Sequence, residues 1–110
     1  MTDRELLELA AKADGYDRIS QEEHDCGYWT TAWKGREPFD FDPLTKDGDA
    51  LRLAVSLRLI VDINDEEGEA KVRKPWYPSS EVFEPLFGDP YAATRRAIVR
   101  AAAEVGRDME

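Results

Sequence analysis

With 110 residues, 42% of them hydrophobic, and three tryptophans, the chain is long enough for one domain with its own core and too apolar for intrinsic disorder. Its 35% charged residues and formal net charge of −9 imply a heavily solvated acidic exterior, which opposes direct contact with a phosphate backbone. No apolar run approaches the roughly 20 residues that span a bilayer, the first residues carry neither a basic leader nor a cleavage pattern, and the lone Cys26 cannot form an internal disulfide, so a cytoplasmic protein with no membrane contact is expected.

The first element begins at once. Thr2 and Glu5 have the spacing of a capping box, and Leu6, Leu9, Ala10 and Ala13, with Leu7 beside them, make the stripe of a helix over 3–13 that Gly15 would stop in a left-handed conformation. Residues 16–21 and the aromatic, β-branched run 28–33 flank a polar cluster, Glu22 to Gly27, and read as a hairpin around a loose turn. Pro43 keeps Asp42 out of helical angles, so 39–44 is expected to be extended, with Phe41 and Leu44 available to pack. A central helix follows, with Asp47 as N-cap and Asp49 beside the positive end of the helix dipole. Its Ala50, Leu53, Ala54 and Leu57 recur at helical spacing, and Leu51 and Val55 widen the face enough to demand burial on more than one side.

Leu59, Val61 and Ile63 then alternate with polar or outward residues, 64–68 makes a turn, and Ala70 and Val72 alternate with Glu69, Lys71 and Arg73. That pattern predicts a second hairpin whose outer face carries charges of both signs. Pro75, Pro78 and Pro85 interrupt the next stretch, which reads as irregular with a short turn of helix near 80–83. Asp89 as N-cap and Pro90 at the first helical position open a last helix over 90–105. Its buried face should hold Tyr91, Thr94, Ala97, Ile98, Ala101, Ala102 and Val105, with Arg95, Arg96 and Arg100 on the solvent side and Gly106 as its stop.

Together these elements predict an α+β domain spanning 1–110. The expected order is helix, hairpin, helix, hairpin, helix, with one antiparallel sheet of about four strands covered by helices on one face. A faint echo between the first helix with its following strand and the central helix with its own is compatible with a duplicated unit, although helical periodicity alone produces such echoes.

Chemistry-bearing patterns are sparse. His24 and Cys26 with Glu22, Glu23 and Asp25 hold mixed metal-ligand types, but one His and one Cys fall short of a closed zinc site, and a solvated polar turn explains them. The run 62–68 is similar to a calcium loop, yet its glycine falls one place late and Arg73 stands where a closing glutamate is needed. Asp40, Asp42, Asp47 and Asp49 have no phosphate-cradling glycine loop near them, and capping accounts for them. No catalytic residue, metal ligand or cofactor-binding residue is therefore assigned, and no cofactor is expected. The best candidate surface is a binding one: Trp76, Tyr77, Phe83, Phe87 and Tyr91 crowd a proline-punctuated stretch, where aromatics either seal a core edge or anchor a partner.

The segments Asp42-Pro43-Leu44 with 47–55, the run 89–104, and the opening 5–13 resemble a family of small uncharacterised proteins encoded by tailed phages and prophages of Gram-negative bacteria. Members of that family tend to show Trp-Asn-Pro-Leu where this chain has Phe41-Asp42-Pro43-Leu44. The resemblance covers the three helices and carries no catalytic residue, cofactor or substrate. It implies an accessory phage product acting in the host cytoplasm by binding a host or phage macromolecule.

The expectation is thus a non-enzymatic protein that binds another protein through the 76–91 region or its acidic face. Two alternatives are an acidic nucleic-acid mimic that occupies a basic groove of a host DNA- or RNA-binding protein and, less favoured, a small enzyme using Asp40, Asp42 or His24. Alanine-rich helix faces are also compatible with a homodimer.

Overall fold

The computed structural model describes residues 2–24, 27–64, 66–74 and 81–109, excepting the side chains of residues 21–29. Among them the chain runs α1 (Asp3–Ala13), β1 (Arg18–His24), β2 (Gly27–Lys34), β3 (Glu37–Asp40), α2 (Asp47–Ser56), β4 (Ile60–Asn64), β5 (Glu69–Arg73), β6 (Glu81–Pro85) and α3 (Pro90–Asp108). The strands form two separate antiparallel sheets of three, ordered β1-β2-β3 and β4-β5-β6.

The α+β class stands, but the single four-stranded sheet and the helix-hairpin alternation do not. Each expected hairpin has a third strand. Both additional strands contain proline, Pro38 in β3 and Pro85 in β6, and both lie at a sheet edge, where the missing N–H removes nothing from the ladder. The helical turn expected near 80–83 is instead the start of β6, with Val82 buried opposite Val72; Ser80 lies outside the described residues. A helix followed by a three-stranded meander thus occurs twice in the order of elements.

Local signals set most of the helix ends. Thr2 accepts from the backbone N–H of Glu5 at 3.1 Å, and Asp89 accepts from those of Tyr91 and Ala92. The two helices that lead into the sheets end alike. In α1 the N–H groups of Gly15 and Tyr16 return to Lys12 and Ala11; in α2 those of Arg58 and Leu59 return to Val55 and Ala54. The left-handed residue is Gly15 in the first and Arg58, at φ 56°, in the second.

Asp47 is not an N-cap. Lys46 holds that position without a side-chain hydrogen bond, and Asp47 is the first helical residue, its carboxylate drawn 2.6 Å from the Arg95 guanidinium. The extended entry is fixed by Asp49, which is buried and accepts from the backbone N–H of Asp42 and from Arg52. Phe41 and Pro43 are buried beside it.

The core is built around α3. Ala70, Val72 and Val82 on the inner face of the second sheet, Leu53 and Ala54 of α2, and Leu6, Leu7, Ala10 and Ala11 of α1 form one buried cluster with its Ala97, Ile98, Val99, Ala101, Ala102 and Ala103. No pair of elements packs more extensively than α1 and α3. Gly106, expected to stop α3, lies inside it and is buried. A Cβ there would overlap the backbone carbonyl of Leu9, so the residue marks a close helix crossing.

Gly106→Ala should destabilise the fold by about 3 kcal/mol in urea unfolding, although glycine to alanine within a helix ordinarily stabilises by about 1 kcal/mol, because the obstructing atoms are backbone. Arg58→Gly should raise stability by about 1 kcal/mol, since it relieves a left-handed non-glycine residue while keeping the backbone N–H that returns to Val55.

Candidate partner-binding groove

The exposed large apolar side chains are unevenly placed. Leu51 on α2 is 63% exposed, Ile63 on β4 54% and Tyr91 on α3 69%, and with Val61 they line one groove of about 520 Å³. Its chemistry follows from the elements. α2 and β4 diverge from the connection at 57–59, both rest on α3, and they scarcely touch each other. The gap between them is floored by Ile98, Thr94 and Ala54, with Asp47 and Arg95 at the end nearer the start of α3.

Register explains why β4 turns apolar groups to this gap. Val61 pairs with Val72 and Ile63 with Ala70, both buried, so Val61 and Ile63 share the inner face of the sheet but extend past the cover that α3 provides. The outer face carries Ile60, Asp62, Lys71, Arg73 and Glu81 around a shallow depression, with charges of both signs as the alternation predicts. There the Lys71 ammonium donates to Glu67 at 2.5 Å, a contact that holds its pKa above the ordinary range.

The aromatic residues singled out in the sequence are dispersed. Trp76 and Tyr77 lie outside the described residues. Phe83 is on the outer face of the second sheet, its ring 5.7 Å from the Lys71 ammonium. Phe87 is 91% exposed in the connection from β6 to α3. Tyr91, expected in the core, is exposed at the groove, on the opposite side of the sheet from Phe83. Leu51, Val61 and Ile63 were not singled out as a surface. The signal for Leu51 is the apolar face of the central helix, which is wider than the fold covers, and that for Val61 and Ile63 is the alternation of β4.

The arginines of α3 do not form a free solvent-facing row. Arg95 donates to the carbonyl of Leu44 at 2.9 Å and to Asp47, Arg96 reaches Asp3 and Glu84, and Arg100 bonds Glu84 and the carbonyl of Phe83. These contacts tie α3 to α1, β6 and the start of α2.

Of the aspartates considered for acid–base work, Asp40 is exposed at the end of β3 and the other three are engaged by the fold. Asp42 accepts from the Thr45 hydroxyl at 2.6 Å, Asp49 closes the entry to α2, and Asp47 holds Arg95. In the 62–68 turn, the Asn64 amide oxygen accepts from the backbone N–H groups of Glu66 and Glu67, and Gly68 has φ 68°, as a hairpin turn requires. Asp25 and Cys26 lie outside the described residues, and the side chains of Glu22, Glu23 and His24 are not described. Among the described residues no three His, Cys, Asp or Glu side chains gather as a metal site, and no helix is long and apolar enough to cross a membrane.

A second polar cluster forms where α1 meets α2. Ser56 donates to Asp14, and the Tyr16 ring packs against Phe41 and Phe39 at 5.4 and 5.8 Å, beneath the Lys34 ammonium. Burial raises the Tyr16 pKa above 10.0; Asp14 and Asp49 add to the shift and Arg52 opposes it. The phenol therefore stays protonated here and serves packing.

No protein-family model, no curated protein and no solved structure matches this chain.

The Tyr16 environment has a testable pH consequence. A raised folded-state pKa contributes stability that is complete below the unfolded value, about 10, and is lost as pH rises through the folded value. Denaturant titrations across that range should show stability falling more steeply for the native chain than for Tyr16→Phe, and the phenolate absorbance difference between the two should appear late.

Proposed function

We propose that this chain is a non-enzymatic accessory protein of a phage or prophage that acts in the host cytoplasm by binding another protein, and that the groove between α2, β4 and α3 is where it does so. The observation that carries the reading is the joint exposure of Leu51, Val61, Ile63 and Tyr91 in one concave, mostly apolar place. Scattered apolar residues need no explanation, whereas a contiguous patch with a charged rim has the character of an interaction surface. Tyrosine at its mouth is a suitable anchor, with a large apolar ring and a polar tip. The use of Asp42, Asp47 and Asp49 in holding the entry to α2 supports a binding role over acid–base chemistry.

The net charge of −9 favours a second reading, an acidic mimic of nucleic acid that occupies a basic groove. Salt distinguishes the two, because attraction between exposed charges is screened over about 8–10 Å at physiological ionic strength while apolar burial is not.

Capture from lysate of a Gram-negative host at low and moderate salt, with mass spectrometry of what is retained, tests both. The groove reading expects a protein that survives moderate salt, is lost with Leu51→Glu or Ile63→Lys, and persists with Phe87→Ala. A partner lost to salt and indifferent to Leu51 and Ile63 would replace it with the acidic mimic. Circular dichroism melting of each variant confirms that the fold is intact, as exposed positions predict.

A further inference from the structure

The geometry points to an extended segment of alternating apolar and basic residues, added as an antiparallel strand to the free edge of β4, as the occupant of the groove. This rests on the protein-binding reading above and adds the form and charge of what is bound.

β4 is the outermost strand of its sheet and pairs with β5 alone. In an antiparallel edge strand, alternate residues point both their N–H and C=O groups away from the partner, and among the described residues none of those on β4 is bonded from the open side. Two of the other three outer strands are blunted, and the third, β1, has no proline but opens on the basic residue Arg18. β3 is four residues long and contains Pro38; β6 ends in Pro85 and gives the Phe83 carbonyl to Arg100. β4, with the sequence Ile-Val-Asp-Ile-Asn, has neither a proline nor a basic residue.

The open edge faces the gap. Neighbouring strands lie about 4.8 Å apart, so a strand added to β4 would lie between it and α2, over α3. Alternate side chains would then meet Leu51, Ile63 and Tyr91 on the groove side. A helix laid in the same gap would bury the apolar groups but leave the open backbone row of β4 without partners. Extended structure satisfies both.

Charge defines the other alternate positions. Asp62 is central in β4 on the outer face, and it makes no ion pair among the described residues because its cross-strand neighbour Lys71 turns to Glu67. A residue directly opposite Asp62 on the added strand would be Lys or Arg, and the net charge of −9 attracts such a segment from a distance. The same carboxylate discriminates against a second copy of this chain. Full antiparallel overlap of two β4 strands centres Asp62 on its own counterpart, and each chain brings the same negative charge.

The test uses the full chain and short capped peptides of defined sequence, followed by fluorescence anisotropy and by amide hydrogen exchange. The probes alternate valine with lysine and threonine, the same pattern with glutamate for lysine, and the same composition reordered to helical spacing; the first is also made with N-methyl groups on one or the other alternate set of residues. The alternating basic peptide should bind best, slow exchange at alternate amides of β4, and lose at least about tenfold in affinity when one N-methyl set, and not the other, blocks the shared ladder. Asp62→Lys should weaken it by a factor of about five and favour the glutamate peptide instead, the size expected when opposed charges on a sheet become like charges.

Equal tolerance of both N-methyl sets, or tighter binding of the helical order, would overturn strand addition while leaving a protein-binding groove in place. A chain that binds no peptide and sediments as a dimer dissolved by Ile63→Lys would assign the groove to a second copy and overturn it too. Absence of both peptide binding and self-association rejects this inference, and capture from lysate then decides the binding reading separately.

Discussion

The crossing of α1 over α3 at Gly106 is the contact on which the rest of the structure depends. With no side chain at that position, the backbone of Leu9 lies directly on the last helix, closer than any L-side chain would permit. Two helices at such close range exclude a thick layer of leucines between them, and the sequence matches: the buried positions of α3 are mainly alanine, and α1 meets them with Ala10 and Ala11 as well as Leu6 and Leu7. Thin packing on that side lets α3 carry the second sheet on another side and α2 on a third, in a chain with a radius of gyration of 13.6 Å. A long helix with alanine on several faces is a suitable centre for such an arrangement, because alanine is the best helix former and loses no rotamer entropy on burial.

Around that centre, polar contacts set the relative positions of elements that share little apolar area. Arg95 fixes the loop before α2 through a backbone carbonyl and Asp47, Arg96 draws in Asp3 at the start of α1, and Arg100 secures β6. Residues 1–90 hold 21 acidic against 11 basic side chains, so the arginines of α3 also provide positive charge where the acidic body converges. Exposed pairs of this kind contribute little stability each, about 0–1 kcal/mol. Arg95 is the strongest of the set: its side chain is mostly buried and it joins an ion pair to a hydrogen bond with a carbonyl.

What could be read from the sequence was local. The first helix, its glycine stop, the Asp89–Pro90 start of α3, the 64–68 turn and the alternation of β5 all rest on residues within a few positions of each other, and the structure keeps them. The departures are cases where a distant partner decides. Gly106 has the appearance of a terminator until Leu9 is brought against it, and Asp47 that of a cap until Arg95 arrives from 48 residues away. β3 and β6 were concealed by prolines that an edge position tolerates. The aromatic segment drew attention by composition, but composition does not state facing: adjacent strands and connections turn Phe83 and Tyr91 to opposite sides of one sheet. The groove was present in the sequence as an excess, a helix with Leu51 and Val55 beyond the stripe it needs, and only the arrangement of α2 against α3 determines which side of that excess stays open.

That excess is informative because burial would have been accessible. Leu51, Val61, Ile63 and Tyr91 surround a gap that neither the second sheet nor α2 closes, and fully burying one large apolar side chain is worth roughly 1.5–3 kcal/mol. Polar residues at these positions would cost the isolated fold little and improve its solubility. Retaining apolar groups on both walls of the same gap, beside a strand edge that lacks proline or lysine, is consistent with a surface completed by something else. Asp62 then has a clear physical role in the middle of that edge. A single carboxylate there repels an identical acidic chain and tolerates a strand that offers it a cation, which makes the edge selective without removing the backbone groups that a partner would pair with.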